Sequence, residues 1–292
     1  MTTMTQQPTL GANVVSDLDP DAYHAHPALS ATGAKRILKA PALYRWEADH
    51  PSPSTSTFDF GKAAHRKVLG AGDNVEVLDF DSFRTKAAQD ARDEATAAGR
   101  APLLVKDWLV VEQMAAALQA AELAPIDGER FSVGDLFSDG APEQSLFWRD
   151  LETGVDCRAR LDWLPAPAEG RRMVIVDYKT AASADPREFG KAADAYGYHL
   201  QQEWYLAGVR ACGLAPDPAF VFVVQEKTPP YLVTVAQLDA DAAALGRARA
   251  DRARRIFAEC LASGRWPGYG ERVHPIALPP WAFTREQEET EA

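Results

Sequence analysis

Polar and apolar positions alternate most clearly in residues 155–164 (VDCRARLDWL), and residues 173–178 (MVIVDY) form a β-branched run too short for an independent helix. Pro165 to Arg172 between them supplies Pro, Gly and charge for a hairpin connection, so the two strands are expected to be neighbours. If they pair antiparallel, Asp162 and Asp177 point to one face near one end, with Lys179 two residues further along that face.

The same reading extends along the chain. Residues 73–80 (DNVEVLDF), the strand starting at Glu143 in PEQSLFWRD, 218–225 (PAFVFVVQ) and 231–235 (YLVTV) carry strand patterns. Helical patterns cover a short basic stretch capped by Ser30 and stopping near Pro41, and a further turn with Tyr44, Arg45 and Trp46. They continue in FDFGKAAHRKVLG after the Pro51 to Thr57 loop, and in residues 83–99, 106–123, 189–212 and 237–263. Residues 1–20 are polar and aperiodic and read as a flexible tail, and residues 285–292 as a disordered acidic one. No internal repeat or boundary divides residues 21–284, so a single domain is expected there.

Composition narrows the class. A chain of 292 residues with 46% hydrophobic and 25% charged residues can build a substantial soluble core. It holds no apolar run of membrane-spanning length and no basic-then-apolar secretory signal, so no membrane partner and a cytoplasmic location are expected. Cys157, Cys212 and Cys260 are odd in number and far apart, which argues against a disulfide framework or a Cys-x-x-Cys metal site. The net charge of -11 argues against coating nucleic acid by bulk electrostatics, but not against a local grip on a phosphate backbone.

Two carboxylates forced together call for a cation. Oxygen ligands at Asp162 and Asp177 suit Mg²⁺ or Mn²⁺, which would lower the pKa of a bound water while Lys179 orients it, deprotonates it or stabilises charge on a phosphate. Asp-x-Lys alone is very common and by itself marks a solvated strand face with a surface ion pair; it is the combination with the other residues that points to a site. His65 shares a helical strip with Gly61, Val68 and Leu69, and is either a packed rim residue or a metal ligand. Glu143, at a strand start, is a further candidate carboxylate. Gln201 and Tyr205 lie one above the other on a helix, placed to bond phosphate oxygens, to orient Lys179, or to pack in the core. Lys35, Arg36, Arg45 and Arg160 are candidate DNA contacts, although the basic helix is equally well read as solvated. The arginines at 247, 249, 252, 254 and 255 form the densest basic patch, either solvated or facing phosphate.

In chain order, YHAHPALSATGAKRILKAPALYRW, FGKAAHRKVL, RARLDWL, VIVDYKTA, HLQQEWY and RWPGYGERVHPIALPPWA together resemble the PD-(D/E)xK nuclease superfamily in its RecB-like branch. The nearer likeness is to the phage and prophage exonucleases typified by the nuclease domain of RecE, exodeoxyribonuclease VIII. It spans Tyr23 to about Phe283. The resemblance implies an α/β fold with a mixed central sheet flanked by helices, the restriction-endonuclease-like core. It implies His65 as the helix-borne metal ligand, Asp162 as the acid of the second motif, Asp177 and Lys179 as the D-x-K pair, and Gln201 with Tyr205 as the Q-x-x-x-Y helix. Leu161-Asp162 stands where a Pro-Asp is the textual norm, a departure common in the branch, and relatives with an iron-sulfur cluster need four cysteines. Further implications are Mg²⁺-dependent digestion of linear double-stranded DNA from 5′ ends inside a bacterial host cell, a ring-like homo-oligomer, and a RecT-like partner that anneals the exposed strand in phage-type recombination. Two other readings remain beside this one: a non-catalytic DNA-binding or assembly protein that keeps the fold, and a metal-dependent hydrolase of a small phosphate ester.

Overall fold

The computed structural model describes residues 12–50, 56–70, 74–123, 131–270 and 272–281. The chain opens with a short strand, β1 (Asn13–Val15), and a helical turn, α1 (Pro20–Ala25), whose first N–H groups are met by the Asp19 side chain. In α2 (Ala31–Lys39) the Ser30 hydroxyl accepts from Gly33 N at 3.1 Å, and Pro41 then ends that helix and starts α3 (Pro41–Asp49). After α4 (Ser56–Leu69) come two parallel strands, β2 (Asn74–Leu78) and β3 (Arg100–Leu104), joined through α5 (Lys86–Ala97). Next are α6 (Val105–Ala120), the two-residue strands β4 (Glu122–Leu123) and β5 (Phe131–Ser132), and a 3-10 turn over Val133–Phe137.

The remainder builds the central sheet: β6 (Gly140–Arg149), β7 (Asp156–Pro165), β8 (Val174–Ala181), α7 (Pro186–Ala195), α8 (Tyr198–Ala211), β9 (Ala219–Glu226), β10 (Val233–Ala236) and α9 (Ala240–Ser263). Six strands lie in the order β1-β6-β7-β8-β9-β10, with only β8 and β9 parallel. Parallel neighbours need a crossover, and α7 and α8 provide it. The sheet is mixed and covered by helices on both faces, as the resemblance implies. One core packs α2, α7, α8 and α9 around Leu146, Leu161, Ile175, Trp204, Phe220 and Phe222. The opposite core packs α4 and α6 around Trp163, Val176, Tyr178 and Val223. Among the described residues no helix is long and apolar enough to cross a membrane.

Four expectations change. Within the stretch read as a flexible tail, residues 13–15 pair with Phe147, Leu146 and Ser145 as an edge strand, while residues 1–11 and the acidic residues 285–292 lie outside the described residues. Three residues carry too little periodicity to be read as a strand without their partner. The helix expected over 189–212 is two helices, because Gly197 takes φ +65° and turns the chain between them. The strand expected to start at Glu143 starts at Gly140, so Glu143 is interior to β6 and has φ +50°. The expected β7–β8 hairpin keeps a single pair, Trp163 with Val176.

The last two changes have one local cause. The β6–β7 ladder passes from Pro142↔Trp163 to Gln144↔Leu161 and omits Glu143 and Asp162. On one side of this break Leu161 joins the α8 core, and on the other Trp163, two residues away, joins the α4 core. An uninterrupted strand would keep both on one face, so the backbone rotates at Glu143 and Asp162, and β7 swings away from β8.

Candidate active site

Where β7 and β8 part, the Tyr178 amide would lose its ladder partner. Asp162 replaces it: its Oδ2 accepts the Tyr178 N–H at 2.9 Å. The carboxylate is thereby fixed in the opening between the strands, where helices from both layers reach it. From the α4 layer, His65 places Nδ1 3.8 Å from Asp162 Oδ2 and stacks edge-on to Tyr178 with ring centres 5.2 Å apart. From β6, the positive φ of Glu143 turns its carboxylate toward the same point. Ligand atoms of His65, Glu143 and Asp162 all lie within 4.8 Å of one another.

Asp177 is the buried half of the site. Its side chain points into the α8 layer, where Oδ1 accepts Gln201 Nε2 at 2.8 Å and Oδ2 lies 2.5 Å from Lys179 Nζ. The latter contact is a charge pair without good hydrogen-bond alignment, so Oδ2 has no aligned donor despite its burial. Burial pushes the Asp177 pKa up to about 6; the Lys179 ammonium opposes this and the Asp162 carboxylate adds to it. Asp162 is raised as well, by burial, with Lys179 and the Tyr178 N–H pulling the other way. Burial works against charge on Lys179, but Asp177 and Asp162 together outweigh it and hold the pKa above the ordinary lysine value. His65 is pushed down to about 4 by burial, then by Lys179, and is neutral at physiological pH with a ring nitrogen free of any proton to shed.

A hard divalent cation fits this donor set. Carboxylates of Glu143 and Asp162, one neutral imidazole and the unaligned Oδ2 of Asp177 are the ligand types that Mg²⁺ or Mn²⁺ takes. Asp177 stands outside the three-residue cluster and is paired with Lys179, whose ammonium supplies the positive charge there. Tyr205 is one turn above Gln201; burial raises its pKa well above the ordinary phenol range, with the Gln201 amide opposing, so it is a neutral phenol in contact with the residue that grips Asp177.

The candidate DNA contacts separate. Arg36 pairs with Glu47 at 3.0 Å and Arg45 with Asp49, both at the surface of the α2–α3 corner. Arg160 donates to Leu18 O at 2.7 Å and Ser145 Oγ at 3.1 Å, and lies 4.4 Å over the Tyr23 ring, tying the N-terminal segment to the sheet. Lys35 is different. Its ammonium lies 5.7 Å from the Tyr198 ring centre, and Lys179 lies 5.3 Å from the same ring. Burial and the nearby Lys179 lower the Lys35 pKa to about 8. The arginine patch of α9 divides too: Arg254 turns inward to Asp150 and Asp251 across Trp204, and Arg247 pairs with the buried Glu203 at 3.2 Å. Arg252 and Arg255 stay exposed.

Tyr198 and the convergence of Lys35 on it were absent from the sequence reading. The signal available was slight: a tyrosine three residues before Gln201, at the start of the helix that brings Gln201 to Asp177.

Comparison with known proteins adds three findings. A family model described as a PDDEXK-like domain of unknown function (DUF3799) matches residues 31–278. A solved structure from Eubacterium rectale, described as a candidate exonuclease, superposes with a TM-score of 0.56 over 92% of this chain and 99% of that one, at 11% identity. At that identity the likeness is one of fold. No curated protein matches the chain.

Proposed function

Because the chain belongs to the family of PDDEXK-like domains of unknown function (DUF3799), we propose that it is a metal-dependent deoxyribonuclease that degrades linear double-stranded DNA as an exonuclease. One observation carries this reading: Asp162, Asp177, Lys179, His65 and Gln201, contributed by four different elements, meet in the opening between β7 and β8.

His65, Glu143 and Asp162 would hold Mg²⁺ or Mn²⁺, with Asp177 joining through Oδ2 once Lys179 turns from it toward substrate. A cation bound there supplies a water of lowered pKa and neutralises phosphate charge. Lys179 is held protonated by its two carboxylates, so its role is to stabilise the charge that grows on the phosphate during in-line attack, rather than to take a proton from water. Gln201 fixes the rotamer of Asp177, and Tyr205 in turn steadies Gln201. Digestion from 5′ ends, a ring-like oligomer and an annealing partner in recombination rest on the RecE-type likeness and belong to the proposal in its finer form. A ring would let topology hold an acidic protein on DNA.

The test is degradation, in Mg²⁺, of linear duplexes labelled separately at the 5′ and 3′ ends beside a closed circle. The expected outcome is loss of 5′ label from linear DNA and an intact circle, with activity abolished by Asp177→Ala and by Lys179→Ala in folded protein. Activity retained in either variant removes that residue from the mechanism, and binding without turnover in both Mg²⁺ and Mn²⁺ favours a non-catalytic DNA-binding protein.

A further inference from the structure

Two ammonium groups share the Tyr198 ring, and among the described residues only one of them forms an ion pair with a carboxylate. Lys179 lies 2.5 Å from Asp177. Lys35 makes no ion pair with a carboxylate among the described residues, yet it is half-buried, with its stem against Gly197, where a Cβ would meet Lys35 Cδ and Cε at 3.4 Å. Holding a second like charge beside Lys179 in a partly desolvated place costs free energy that Tyr198 alone recovers only in part. Packing alone does not require it: Lys35 is on α2, whose other cations, Arg36 and Lys39, point to the surface. Beyond Lys35 the same edge continues to α9. There the exposed Arg249 places Nη1 3.3 Å from the Nε2 of His199, and His199 feels the charge of both Arg249 and Lys35. Lys179, Lys35 and Arg249 thus place cations from the site across α2 to α9; Asp177 faces Lys179 and Asp194 lies near His199, but among the described residues neither forms an ion pair with Lys35 or Arg249.

We propose that Lys35 binds a phosphate adjacent to the one being cleaved, and that Arg249 takes a phosphate farther along the same strand, so that the uncleaved backbone crosses α2 toward α9. This deepens, and rests on, the reading of the site as a deoxyribonuclease. Several anions on one chain can engage Lys35 and Arg249 together, whereas a small phosphate ester would leave Arg249 unused. His65, Glu143 and Asp162 would hold a hard cation at the scissile phosphate, while Lys35 binds the neighbouring one, so Lys35 sets affinity and register rather than chemistry.

Equilibrium binding of a short linear duplex to the full chain, in EDTA and across a salt titration, tests this without turnover. Lys35→Met is expected to weaken binding about fivefold to tenfold and to make the slope of log affinity against log salt shallower by about 0.9, the signature of one lost phosphate contact. Lys35→Arg should restore most of both, and Arg249→Gln added to Lys35→Met should flatten the slope by a similar further amount. In steady-state cleavage Lys35→Met should raise KM far more than it lowers kcat. A second arm uses the unmodified protein: a single neutral methylphosphonate linkage beside the cleavage position should weaken its binding, and should cost Lys35→Met nothing more. Unchanged affinity and slope in Lys35→Met overturn the proposal, and so does wild-type protein indifferent to the neutral linkage, whether or not the variant folds. A wild type that degrades DNA while Lys35→Met behaves identically removes this inference alone. A wild type that binds duplex yet never cleaves it removes the nuclease reading, while the binding arms still decide for or against Lys35.

Discussion

The helix that brings Gln201 to Asp177, α8, packs against α9, and one glycine permits their close approach. A Cβ at Gly246 would stand 2.1 Å from the His199 carbonyl oxygen and 2.6 Å from its carbon, with Glu203 Cγ at 3.2 Å. Gly246→Ala therefore sets two effects against each other. Alanine is better than glycine inside a helix by about 1 kcal/mol. Against this, a methyl group needs roughly 3.5 Å from its neighbours, so the helices must separate by more than about 1 Å. Because the obstructing atoms are backbone on α8, no side chain can rotate away. Overpacking of this kind costs about 1–3 kcal/mol, and a rigid backbone neighbour places this case at the upper end. The net result is a loss of about 1–2 kcal/mol, or a fall in Tm of about 3–6 °C for a chain of this size. The matched control is Gly190, exposed within α7, where an added Cβ meets nothing within 4 Å. Gly190→Ala feels only the propensity effect and should raise Tm by about 1–3 °C. Circular dichroism melts of the two variants beside the parent decide the matter. If both alanines stabilise the protein, α8 and α9 do not approach as closely as described, and the account of how Gln201 is held fails with them.

Three further outcomes follow from the site. Lys179→Met leaves Asp177 buried with no cation, so its pKa, already pushed up to about 6, should rise further. A carboxyl whose folded pKa exceeds its unfolded value near 3.8 binds more protons in the folded state, so it destabilises as pH rises through that window. Urea midpoints of this variant relative to wild type should be lower at pH 7.5 than at pH 5, and a pH-independent difference would refute the assignment. In wild-type protein, Asp177 must ionise to accept a cation, so cleavage should fall as pH drops below about 6, and the acid limb should move to lower pH as Mg²⁺ is raised; a limb that ignores Mg²⁺ removes proton–metal competition at Asp177. Mg²⁺ at about 100 times its Kd should stabilise the folded protein by about 2.7 kcal/mol. In His65→Ala and Asp162→Asn that thermal shift should shrink sharply, and an undiminished shift would place the cation elsewhere.

Much of this site was legible because it sits on regular elements. The alternation in 155–164 and the β-branched run in 173–178 placed Asp162, Asp177 and Lys179 on neighbouring strands, and β7 and β8 are neighbours. Helical spacing placed His65 on α4 and Gln201 above Tyr205 on α8. The features that escaped depend on departures from regularity. Glu143 at φ +50° breaks a strand that reads as continuous, because nothing in PEQSLFWRD marks a residue other than glycine in the left-handed region. The same break lets Leu161 and Trp163 serve opposite cores, which a strict two-residue period forbids. Gly197 divided a helix that its neighbours would have continued. Residue counts in the arginine patch hid the fact that Arg254 is turned inward by Asp150, a residue far from it in sequence.

The net charge of -11 and a polyanionic substrate are compatible once the cations are sorted by what they already do. Arg36, Arg45, Arg247 and Arg254 are committed to Glu47, Asp49, Glu203 and Asp150, so they add little attraction for an incoming phosphate. Lys35 forms no ion pair with a carboxylate among the described residues, and on the proposed reading Lys179 would exchange Asp177 for substrate. At physiological salt, charges farther than about 8 Å from a bound phosphate are largely screened, so acidic residues on the remaining surface weaken long-range attraction more than contact at the site. Affinity then comes from a few local contacts plus the divalent cation, rather than from a broad basic face. The consequence is a shallow salt dependence: two or three phosphate contacts give a slope of about -2 to -3, where a protein that coats DNA through ten contacts has a slope near -9. A slope as steep as the latter would mean that a basic surface beyond these residues carries the binding, and the local account of the charge would fail.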